Sequence, residues 1–402
     1  MKIEVHNRCS DFNSYRASRV KSLFNAESGC NFDLVADLPL ENRDWHIGVV
    51  VGPSGSGKTS IGRSVWGGEA FYEKPWPDNA PIVDAIAEGG DFNAVTGALA
   101  SVGLGDVPSW LRPYSVLSNG EKFRADLARI VSEEPSQVVI DEFTSVVDRQ
   151  IAKFGALAFS KAWRRTKGQA ILLSCHYDIL DWIEPDWVFN TETKQFHGRW
   201  LQQKHDATPG WYRRPKFELE IWQTDWRYWA EFEPHHYLKM PRMIAAKCYV
   251  GTVDGQRVCH MAVSTANKGG SAEARGCRLV VLPEWQGAGV GLRFLNAVCE
   301  LQMTGGEGAR LEGRKVTTIF HTSHPGLCAA LRRMPQWRQV SAKLHGTNKK
   351  KSGKTMVASG ASRSRGKTTA TTTTTGAEMI AAGFGGHFRA VQGFRYYGDQ
   401  KK

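Results

Sequence analysis

The stretch IGVVVGPSGSGKTSIGRSVW, residues 47–66, decides the fold of the first half of the chain. Five apolar residues (47–51) precede a glycine-rich loop (52–59), and a segment compatible with a helix follows. The loop matches G-x-x-x-x-G-K-[ST], a pattern that binds phosphate when it lies between a strand and a helix. Glycine amides and the helix N-terminus then converge on the anionic oxygens. The stretch predicts an α/β domain with a site for ATP.

The side chains at the end of this loop predict how the nucleotide is held. Lys58 has the reach to contact the β- and γ-phosphates, and the Thr59 hydroxyl is suited to holding Mg²⁺. The predicted nucleotide-binding residues of the loop are Gly52, Ser54, Gly55, Ser56, Gly57, Lys58, Thr59 and Ser60.

Acidic residues end a second apolar run, QVVIDE at 137–142. We predict that Asp141 holds Mg²⁺ through a water molecule and that Glu142 polarises the attacking water. Acids at strand ends are common, so this motif gains its weight from its neighbours. LSNGEK (117–122) precedes it, and SVVD (145–148) and then His176 follow it.

These five motifs, in this order, resemble the ABC-type ATPase family over roughly residues 1–200. The resemblance implies a homodimer in which each ATP lies between the Walker A loop (52–59) of one subunit and the LSNGE motif of the other. In the LSNGE motif, Ser118, Asn119 and Gly120 would contact the nucleotide. The resemblance adds Asp148 to the nucleotide-binding residues, and it implies that His176 contacts the γ-phosphate and aligns Glu142.

Two features depart from the family pattern. Family members usually carry a Gln between the Walker A loop and the LSNGE motif, but residues 60–117 contain none. Tyr72 and Glu73 fall near its expected place. Three aromatic residues are candidates for stacking on the adenine ring: Tyr15, Phe24 and Trp45. Each would serve equally well as a core residue.

Charge is distributed unevenly over the 402 residues, whose formal net charge is +12. Residues 1–200 hold 21 Lys+Arg and 26 Asp+Glu, whereas residues 201–402 hold 31 and 14. The positive second half favours a polyanionic partner such as nucleic acid, with a solvated surface as the alternative. Eight basic and no acidic residues fall in 341–370, and threonines fill 371–375. We predict a disordered basic insert at 345–378.

Composition also excludes several classes of protein. The eight cysteines are scattered without a C-x-x-C pair, which argues against a disulfide framework or a zinc ribbon. No apolar run approaches the roughly 18 residues of a membrane span, and the N-terminus lacks the apolar core of a signal peptide. We therefore predict a cytoplasmic protein without a membrane partner.

The second half contains RGCRLVVLPEWQGAGVGLRFLNAVCEL, residues 275–301. An apolar strand leads into the glycine-rich turn QGAGVG, hereafter the Gly loop (286–291), and an amphipathic helix follows. This stretch resembles the pyrophosphate loop of the GNAT acetyltransferase superfamily, and the resemblance covers roughly residues 215–398. It implies acetyl-CoA or another acyl-CoA as cofactor, bound by Val281, Gln286, Gly287, Ala288, Gly289, Val290 and Gly291.

Acid–base residues of this half are less defined. GNAT members commonly use a Tyr in the helix after the fifth strand, but HPGLCAALRRM has Leu331 near that place and no Tyr. Our candidates are the segment His235, His236 and Tyr237, together with His321 and His324. Imidazole titrates near neutral pH, which suits acid–base work. Each histidine would serve equally as a packed, hydrogen-bonded residue. Trp222, Trp226 and Trp229 are predicted as core or as the wall of an acceptor pocket.

The predicted fold is an ABC-type α/β ATPase domain, with a mixed sheet and a short helical subdomain, followed by a C-terminal α+β GNAT fold. The predicted domains are 1–205 (ATPase), 206–344 (acyl-CoA domain), 345–378 (insert) and 379–402 (final strand and tail). The leading hypothesis is an ATP-dependent N-acyltransferase. Its rivals are a nucleic-acid processing ATPase with an inactive GNAT module, and a protein acetyltransferase whose ATPase is only a dimerisation scaffold.

Overall fold

The chain divides into two compact units in the computed structural model. The first unit contains residues 1–90 and 112–216, and the second contains residues 91–111 and 217–402. The motif order predicts an ATPase domain at residues 1–205, whereas residues 91–111 group with the second unit. The structure describes residues 2–8, 14–24, 31–41, 44–198, 218–236, 246–268, 270–343 and 391–398.

Several predictions lie outside the described residues: the domain boundary at 205–206, Tyr237, the side chain of Phe24, the basic insert at 345–378, and residues 379–390 and 399–402 of the final segment. None of the helices in the described part of the chain has the length and apolar character that crossing a membrane requires.

Strands and helices alternate in the first unit, and strands dominate the second. The strands are β1 (Lys2–Arg8), β2 (Asn31–Asp37), β3 (Ile47–Val51), β4 (Gln137–Ile140), β5 (Gln169–Ser174), β6 (Trp187–Asn190), β7 (Gln195–Gly198), β8 (Glu220–Thr224), β9 (Lys247–Val253), β10 (Gln256–Lys268), β11 (Ser271–Val281), β12 (Thr318–Thr322), β13 (Trp337–Lys343) and β14 (Val391–Tyr396). The helices are α1 (Tyr15–Phe24), α2 (Lys58–Trp66), α3 (Ile82–Ala85), α4 (Phe92–Ser101), α5 (Val107–Trp110), α6 (Asn119–Glu133), α7 (Arg149–Trp163), α8 (Ile179–Ile183), α9 (Trp229–Phe232), α10 (Val290–Thr304) and α11 (Pro325–Arg333).

The main sheet of the first unit has the strand order β4-β5-β3-β6-β7. β4, β5, β3 and β6 are parallel, and β7 pairs antiparallel with β6. All five residues of β3 are buried, as expected for a parallel strand covered on both faces. β1 and β2 form a separate antiparallel pair. This mixed sheet confirms the predicted α/β fold of the N-terminal half.

Seven strands form the sheet of the second unit, in the order β13-β14-β12-β11-β10-β9-β8. Only β11 and β12 pair in parallel; the other neighbours are antiparallel. β9 and β10 form a hairpin, in which Asp254 and Gly255 take φ values of 49° and 75°. Positive φ at both turn positions suits the right-handed twist of a two-residue hairpin.

The core of the first unit depends on a close contact between neighbouring strands. Gly48 of β3 pairs with Trp187 of β6. A Cβ atom added at Gly48 would lie 1.9 Å from Cζ2 of the Trp187 ring. The indole fills the space that any other residue at position 48 would need.

Gly48→Ala is therefore expected to destabilise the first unit by about 1–3 kcal/mol, the usual range for overpacking a core. Urea unfolding followed by far-UV circular dichroism measures the change. Gly68→Ala is the matched control, because its added Cβ would meet only Nη1 of Arg63, at 3.6 Å. Equal unfolding midpoints for the Gly48→Ala protein and the wild type would contradict this account of the core.

Candidate functional site

Glycine shapes the Walker A loop between β3 and α2. Gly55 and Gly57 have φ values of 78° and 85°, in the left-handed region that residues with a Cβ rarely adopt. Gly57 is the N-cap of α2, and no atom lies within 4 Å of a Cβ added at Gly55. The loop therefore opens a helix with bare backbone on its outer side, which is a form suited to binding an anion.

The Lys58 ammonium lies across this loop. It donates hydrogen bonds to the carbonyl oxygens of Gly52 and Pro53, at 2.9 and 2.8 Å. Lys58 also borders a cavity of about 340 Å³, a volume in the range of ligand sites. The cavity is lined by Ser54, Gly55, Gly57, Lys58, Thr59, Ser60, Asp141, Glu142, Ser145 and Cys175.

Two oxygen ligands suited to Mg²⁺ meet in this cavity. The Thr59 hydroxyl donates to Oδ2 of Asp141 at 2.8 Å. A hydroxyl and a carboxylate are oxygen donors of the kind that Mg²⁺ prefers, so this pair would hold the ion of an ATP complex. The described residues contain no group of three or more His, Cys, Asp or Glu side chains that would bind a metal alone. The remaining ligands would be phosphate oxygens and water, as is usual for Mg²⁺.

The backbone beyond β4 is strained where Glu142 enters the cavity. Glu142 and Thr144 have φ values of 48° and 69°, a conformation that costs roughly 1–2 kcal/mol per non-glycine residue. Phe143, between them, is buried, and both its N–H and its carbonyl form hydrogen bonds to β5. Its N–H donates to the Leu173 carbonyl at 2.8 Å, and its carbonyl accepts from the Ser174 hydroxyl at 2.9 Å. These anchors hold the strained turn that presents Glu142.

Thr191, the residue after β6, supports the same loop, and no sequence motif indicates it. Its Oγ1 lies 2.6 Å from Oγ of Ser56, and its N–H donates to the Val51 carbonyl at 2.9 Å. A Cβ added at Gly52 would lie 1.9 Å from this hydroxyl oxygen. The first glycine of the motif is thus required by the close approach of Thr191.

The LSNGE motif forms the start of α6. The Ser118 hydroxyl accepts from the N–H of Glu121 at 3.3 Å, and the Glu121 carboxylate accepts from the N–H of Ser118 at 2.9 Å, which makes a capping box. A Cβ added at Gly120 would lie 2.8 Å from Cδ1 of Ile151, so α6 packs closely on α7. Ser118 and Asn119 remain exposed. Their contact with a nucleotide stays a prediction.

Asp148 and His176 also lie near strand and helix ends. Asp148 caps α7 by accepting from the N–H of Gln150 at 2.8 Å. His176 follows β5 and is not among the residues that line the cavity. Burial, with the charge of Arg149, lowers the pKa of His176, so its ring is neutral at neutral pH. A neutral imidazole can donate one hydrogen bond to a phosphate without carrying charge.

The segment at the place of the missing Gln follows the sheet edge. The N–H of Tyr72 donates to the Val139 carbonyl at 2.9 Å, and Glu73 forms an ion pair with Arg63 at 3.2 Å. Among the adenine-stacking candidates, Trp45 is 7 % exposed and contacts Trp187 edge-on, which favours a core role. Tyr15 is 78 % exposed.

A polar cluster anchors the chain just beyond this segment to α6. The rings of Trp76 and Tyr114 stack with centroids 5.0 Å apart. They donate to the two carboxylate oxygens of Asp126, at 2.8 and 2.7 Å. Burial raises the pKa of Asp126, and the two donors oppose that shift. Nothing in the local sequence indicated this cluster.

The Gly loop of the second unit resembles the Walker A loop in its backbone. Gly287 and Gly289 have φ values of 87° and 81°, and Gly289 is the N-cap of α10. No atom lies within 4 Å of a Cβ added at Gly289. Gln286 is held instead: its Nε2 donates to the Val281 carbonyl at 3.2 Å, and its Oε1 accepts from the N–H of Gly105 at 3.0 Å.

Beside this loop, β11 and β12 part. They pair over three residues, from Ala274 with Thr318 to Gly276 with Phe320, although β11 continues to Val281. A bulge distorts β11 after this point, because its register with β10 shifts between Cys277 and Val280. Arg278, within the bulge, has a φ of 57°. The last residues of β11, after Gly276, therefore form an edge that is not paired with β12.

The candidate histidines occupy different environments. In His324, Nε2 lies 3.2 Å from the Gly105 carbonyl, and Nδ1 accepts from the N–H of Leu327 at 3.2 Å. The ring therefore carries its proton on Nε2 and caps α11, which leaves no free nitrogen for acid–base work. His235 is exposed, and His236 is buried with its ring 5.6 Å from that of Trp229.

His260 of β10 was missed because one polar residue in an apolar strand gives no distinct signal. It is fully buried, with ring centroids of Trp229 and Phe232 at 5.0 and 5.5 Å. Burial lowers its pKa to about 4. Trp229 is likewise buried, whereas Trp222 and Trp226 are partly exposed.

Thr191→Val is expected to weaken ATP binding about 2–10-fold, because one hydrogen bond typically contributes about 0.5–1.5 kcal/mol and Ser56 would lose this partner. Titration with a fluorescent ATP analogue measures the affinity, and thermal unfolding checks the fold. Thr191→Ser keeps the hydroxyl and should bind like the wild type. If both variants bind equally, Thr191 does not position the loop through its hydroxyl.

Comparison with known proteins gives partial matches. No family model matches the chain. It is 30 % identical over 164 residues to the cytochrome c biogenesis ATP-binding export protein CcmA of Rhodospirillum rubrum. The aligned region covers 33 % of this chain and 68 % of that protein. CcmA of Paramagnetospirillum magneticum is 29 % identical over 167 residues, covering 33 % and 75 %.

Solved structures align at low similarity. A bacterial Atm1-family ABC exporter with ATP bound gives a TM-score of 0.32 at 17 % identity, covering 52 % of this chain and 41 % of that one. CbiO1 from Clostridium perfringens, part of an ABC transporter complex, gives 0.32 at 15 % identity, covering 51 % and 90 %. The relationship to CcmA, together with the ordered motifs, assigns the family: over its N-terminal half, the chain belongs to the ABC-type ATPases.

Proposed function

We propose that the chain hydrolyses ATP in its first unit and transfers an acyl group from acetyl-CoA, or another acyl-CoA, in its second. Nucleotide-driven dimerisation would control the transfer. For the ATPase, the supporting observation is the convergence of Lys58, the Thr59–Asp141 pair and Glu142 on one cavity.

ATP hydrolysis would use these residues in distinct roles. Lys58 exchanges its loop carbonyls for phosphate oxygens, and Thr59 and Asp141 hold Mg²⁺, which neutralises charge on the phosphates. Glu142 accepts a proton from the attacking water, so its strained backbone has a role in aiming the carboxylate. The exposed Ser118 and Asn119 would close the site of the partner subunit.

Glu142→Gln should lower the hydrolysis rate about 10²–10⁴-fold, the usual contribution of a general base, and leave ATP binding intact. The unhydrolysed ATP should then accumulate in a dimer. Phosphate release and light scattering after gel filtration measure the two effects. Glu134→Gln, the same change at an exposed residue at the end of α6, is the control. Rapid hydrolysis by the Glu142→Gln protein would contradict the role of Glu142, and a monomer with ATP bound would contradict the dimer.

The acyltransferase part is supported by one arrangement: the Gly loop opens α10 beside the point where β11 and β12 part. The open backbone at Gly289 suits the pyrophosphate of CoA. The amide groups of the pantetheine chain would lie along β11 beyond Gly276, where β11 no longer pairs with β12, as an added strand does. The strand order of the second unit agrees with the splayed sheet that the GNAT resemblance implies.

Acyl transfer would proceed by attack of an acceptor amine on the thioester carbonyl. The C–N bond forms, the C–S bond breaks, the amine loses a proton to a base, and the CoA thiolate takes a proton. His235, His236 and Tyr237 are the proposed acid–base group. His324 is removed from it, since its two nitrogens cap α11 and bind Gly105.

Gly289→Glu is expected to weaken acetyl-CoA binding at least about tenfold, because a carboxylate at the Gly loop would oppose the pyrophosphate charge. Calorimetric titration of the full chain measures the affinity. Gly255→Glu is the control: Gly255 also has positive φ and open space around its Cβ, but it lies in the β9–β10 turn. Equal affinities for both variants, or no binding by the wild type, would overturn the acyl-CoA site.

A second function, nucleic-acid processing with the second unit as a binding module, is favoured by two observations. His324 is fully engaged, and the buried Leu331 takes the place of the expected Tyr. Labelled acetyl-CoA offered with DNA, RNA and protein, with and without ATP, separates the two functions. Label in an acceptor supports acyl transfer, whereas DNA-stimulated ATP hydrolysis without label supports the alternative.

A further inference from the structure

Arg149, the first residue of α7, links the two chain segments that follow β4 and β5. On one side, Nη1 of its guanidinium donates to the carbonyl and hydroxyl oxygens of Thr144, at 3.4 and 3.3 Å. On the other side, Nε donates to Oδ2 of Asp178 at 3.1 Å, and Nη2 donates to Oδ1 of the same carboxylate. The guanidinium also lies 4.9 Å from the centroid of the Trp182 ring. It therefore has a fixed orientation, with the bidentate carboxylate contact that its planar fork permits.

Each of these two segments carries a residue with a proposed role in ATP hydrolysis. Thr144 lies two residues after Glu142, and Asp178 lies two residues after His176. Glu142 and Ser145, which flank this part of the chain, line the nucleotide cavity. The guanidinium is not among the groups that line the cavity, so it acts on ATP only through the two segments.

The contact with Thr144 falls on the strained turn beside the cavity. Thr144 is buried, and its φ of 69° is one that residues with a Cβ rarely adopt. A conformation of this kind persists only where the surrounding contacts hold it. Hydrogen bonds to β5 hold Phe143, and the guanidinium holds Thr144. Loss of the guanidinium would free the last residue of the turn to relax, and the direction of the Glu142 carboxylate would change with it.

The same guanidinium affects the ring of His176 through its charge. Burial lowers the pKa of His176, the charge of Arg149 on α7 lowers it further, and Asp178 on its own loop raises it. The Cys175 thiol lies 3.7 Å from Nδ1 of the ring. Removing the arginine would leave the Asp178 carboxylate to act on the ring alone, so the pKa of His176 would rise.

We propose that Arg149 is a positioning residue for ATP hydrolysis: its guanidinium fixes the turn that carries Glu142 against the loop that carries His176. The proposal rests on the proposed roles of Glu142 and His176. A lysine would not replace the arginine, because a single ammonium lacks the fork that contacts both oxygens of Asp178 while reaching Thr144. Loss of the guanidinium should therefore slow hydrolysis and leave the affinity for ATP nearly unchanged.

Phosphate release by the full chain with Mg²⁺ and ATP measures this effect. We expect Arg149→Gln and Arg149→Lys each to lower kcat about 10–100-fold and to change KM less than about twofold, because misplacing a reacting group by about 1 Å costs up to roughly 100-fold in rate. Thermal unfolding checks the fold of each variant. If Arg149→Gln does not fold, Arg149→Lys, which keeps the charge, carries the test. A wild-type kcat in either variant would overturn the proposal.

Arg164→Gln is the matched control. Arg164 is the C-cap of α7 and forms an ion pair with Asp186 at 2.9 Å, so the substitution removes a comparable pair at the opposite end of the same helix. Neither residue lines the nucleotide cavity. We expect this variant to keep the kcat of the wild type. An equal loss of kcat in Arg164→Gln and Arg149→Gln would show a general loss of stability and would overturn the proposal.

The pH dependence of kcat separates positioning from a purely structural loss. Arg149→Gln should move the acid limb of the profile to higher pH, because the pKa of His176 rises and the neutral ring persists only above it. Asp178→Asn removes the opposite charge and should move the limb to lower pH. Arg149→Lys keeps the positive charge and should leave the limb in place although kcat is low. A common limb for all variants, or shifts of Arg149→Gln and Asp178→Asn in the same direction, would contradict the proposal.

Failure of the proposed hydrolysis gives a different result. A wild type that does not hydrolyse ATP, or a Glu142→Gln protein as fast as the wild type, contradicts the roles of Glu142 and His176 themselves. An active wild type, an inactive Glu142→Gln protein and a fully active Arg149→Gln protein together contradict only the role of Arg149.

Discussion

Burial of β3 on both faces is the constraint on which the nucleotide site depends. A strand with no exposed face must lie inside a parallel sheet, and the carboxyl ends of parallel neighbours meet at one edge. The Walker A loop, Asp141, His176 and Thr191 each follow such an end, on β3, β4, β5 and β6. Residues up to 139 positions apart are thereby brought to one edge, and the contacts of Thr59 with Asp141 and of Thr191 with Ser56 follow from the strand order.

The two units share one backbone arrangement that suits an anion. Each places a left-handed glycine at the N-cap of a helix, Gly57 before α2 and Gly289 before α10. Only the first adds an ammonium and a metal-binding hydroxyl, Lys58 and Thr59. Residues 1–200 carry more acidic than basic residues, 26 against 21, so affinity for a polyphosphate must come from these local groups and not from bulk charge. The Gly loop has neither a lysine nor a hydroxyl residue after its last glycine, so only its backbone amides resemble the first loop.

The sequence predicted those parts of the site whose chemistry demands fixed residue types at fixed spacing. The Walker A loop and the Asp141–Glu142 pair are of this kind. The parts it missed are contacts between distant segments, such as Thr191 with Gly52 and Ser174 with Phe143, which leave no local pattern. His324 illustrates a third case: its residue type suits both a helix cap and a general base, and only the positions of Gly105 and Leu327 decide between them.

Residues 91–111 show why domain boundaries are hard to predict from motif order. The motifs on either side of the segment belong to the ATPase, so linear reasoning assigns everything between them to the same domain. The segment nevertheless contains Leu99, Leu104 and Trp110, each at most 4 % exposed. These apolar side chains are buried within the second unit, where α4 packs against α11. Cutting the chain near residue 206 would therefore separate α4 and α5 from the unit in which they are buried. Residues 91–111 therefore belong to the ATPase half by their place in the sequence and to the second unit by their packing.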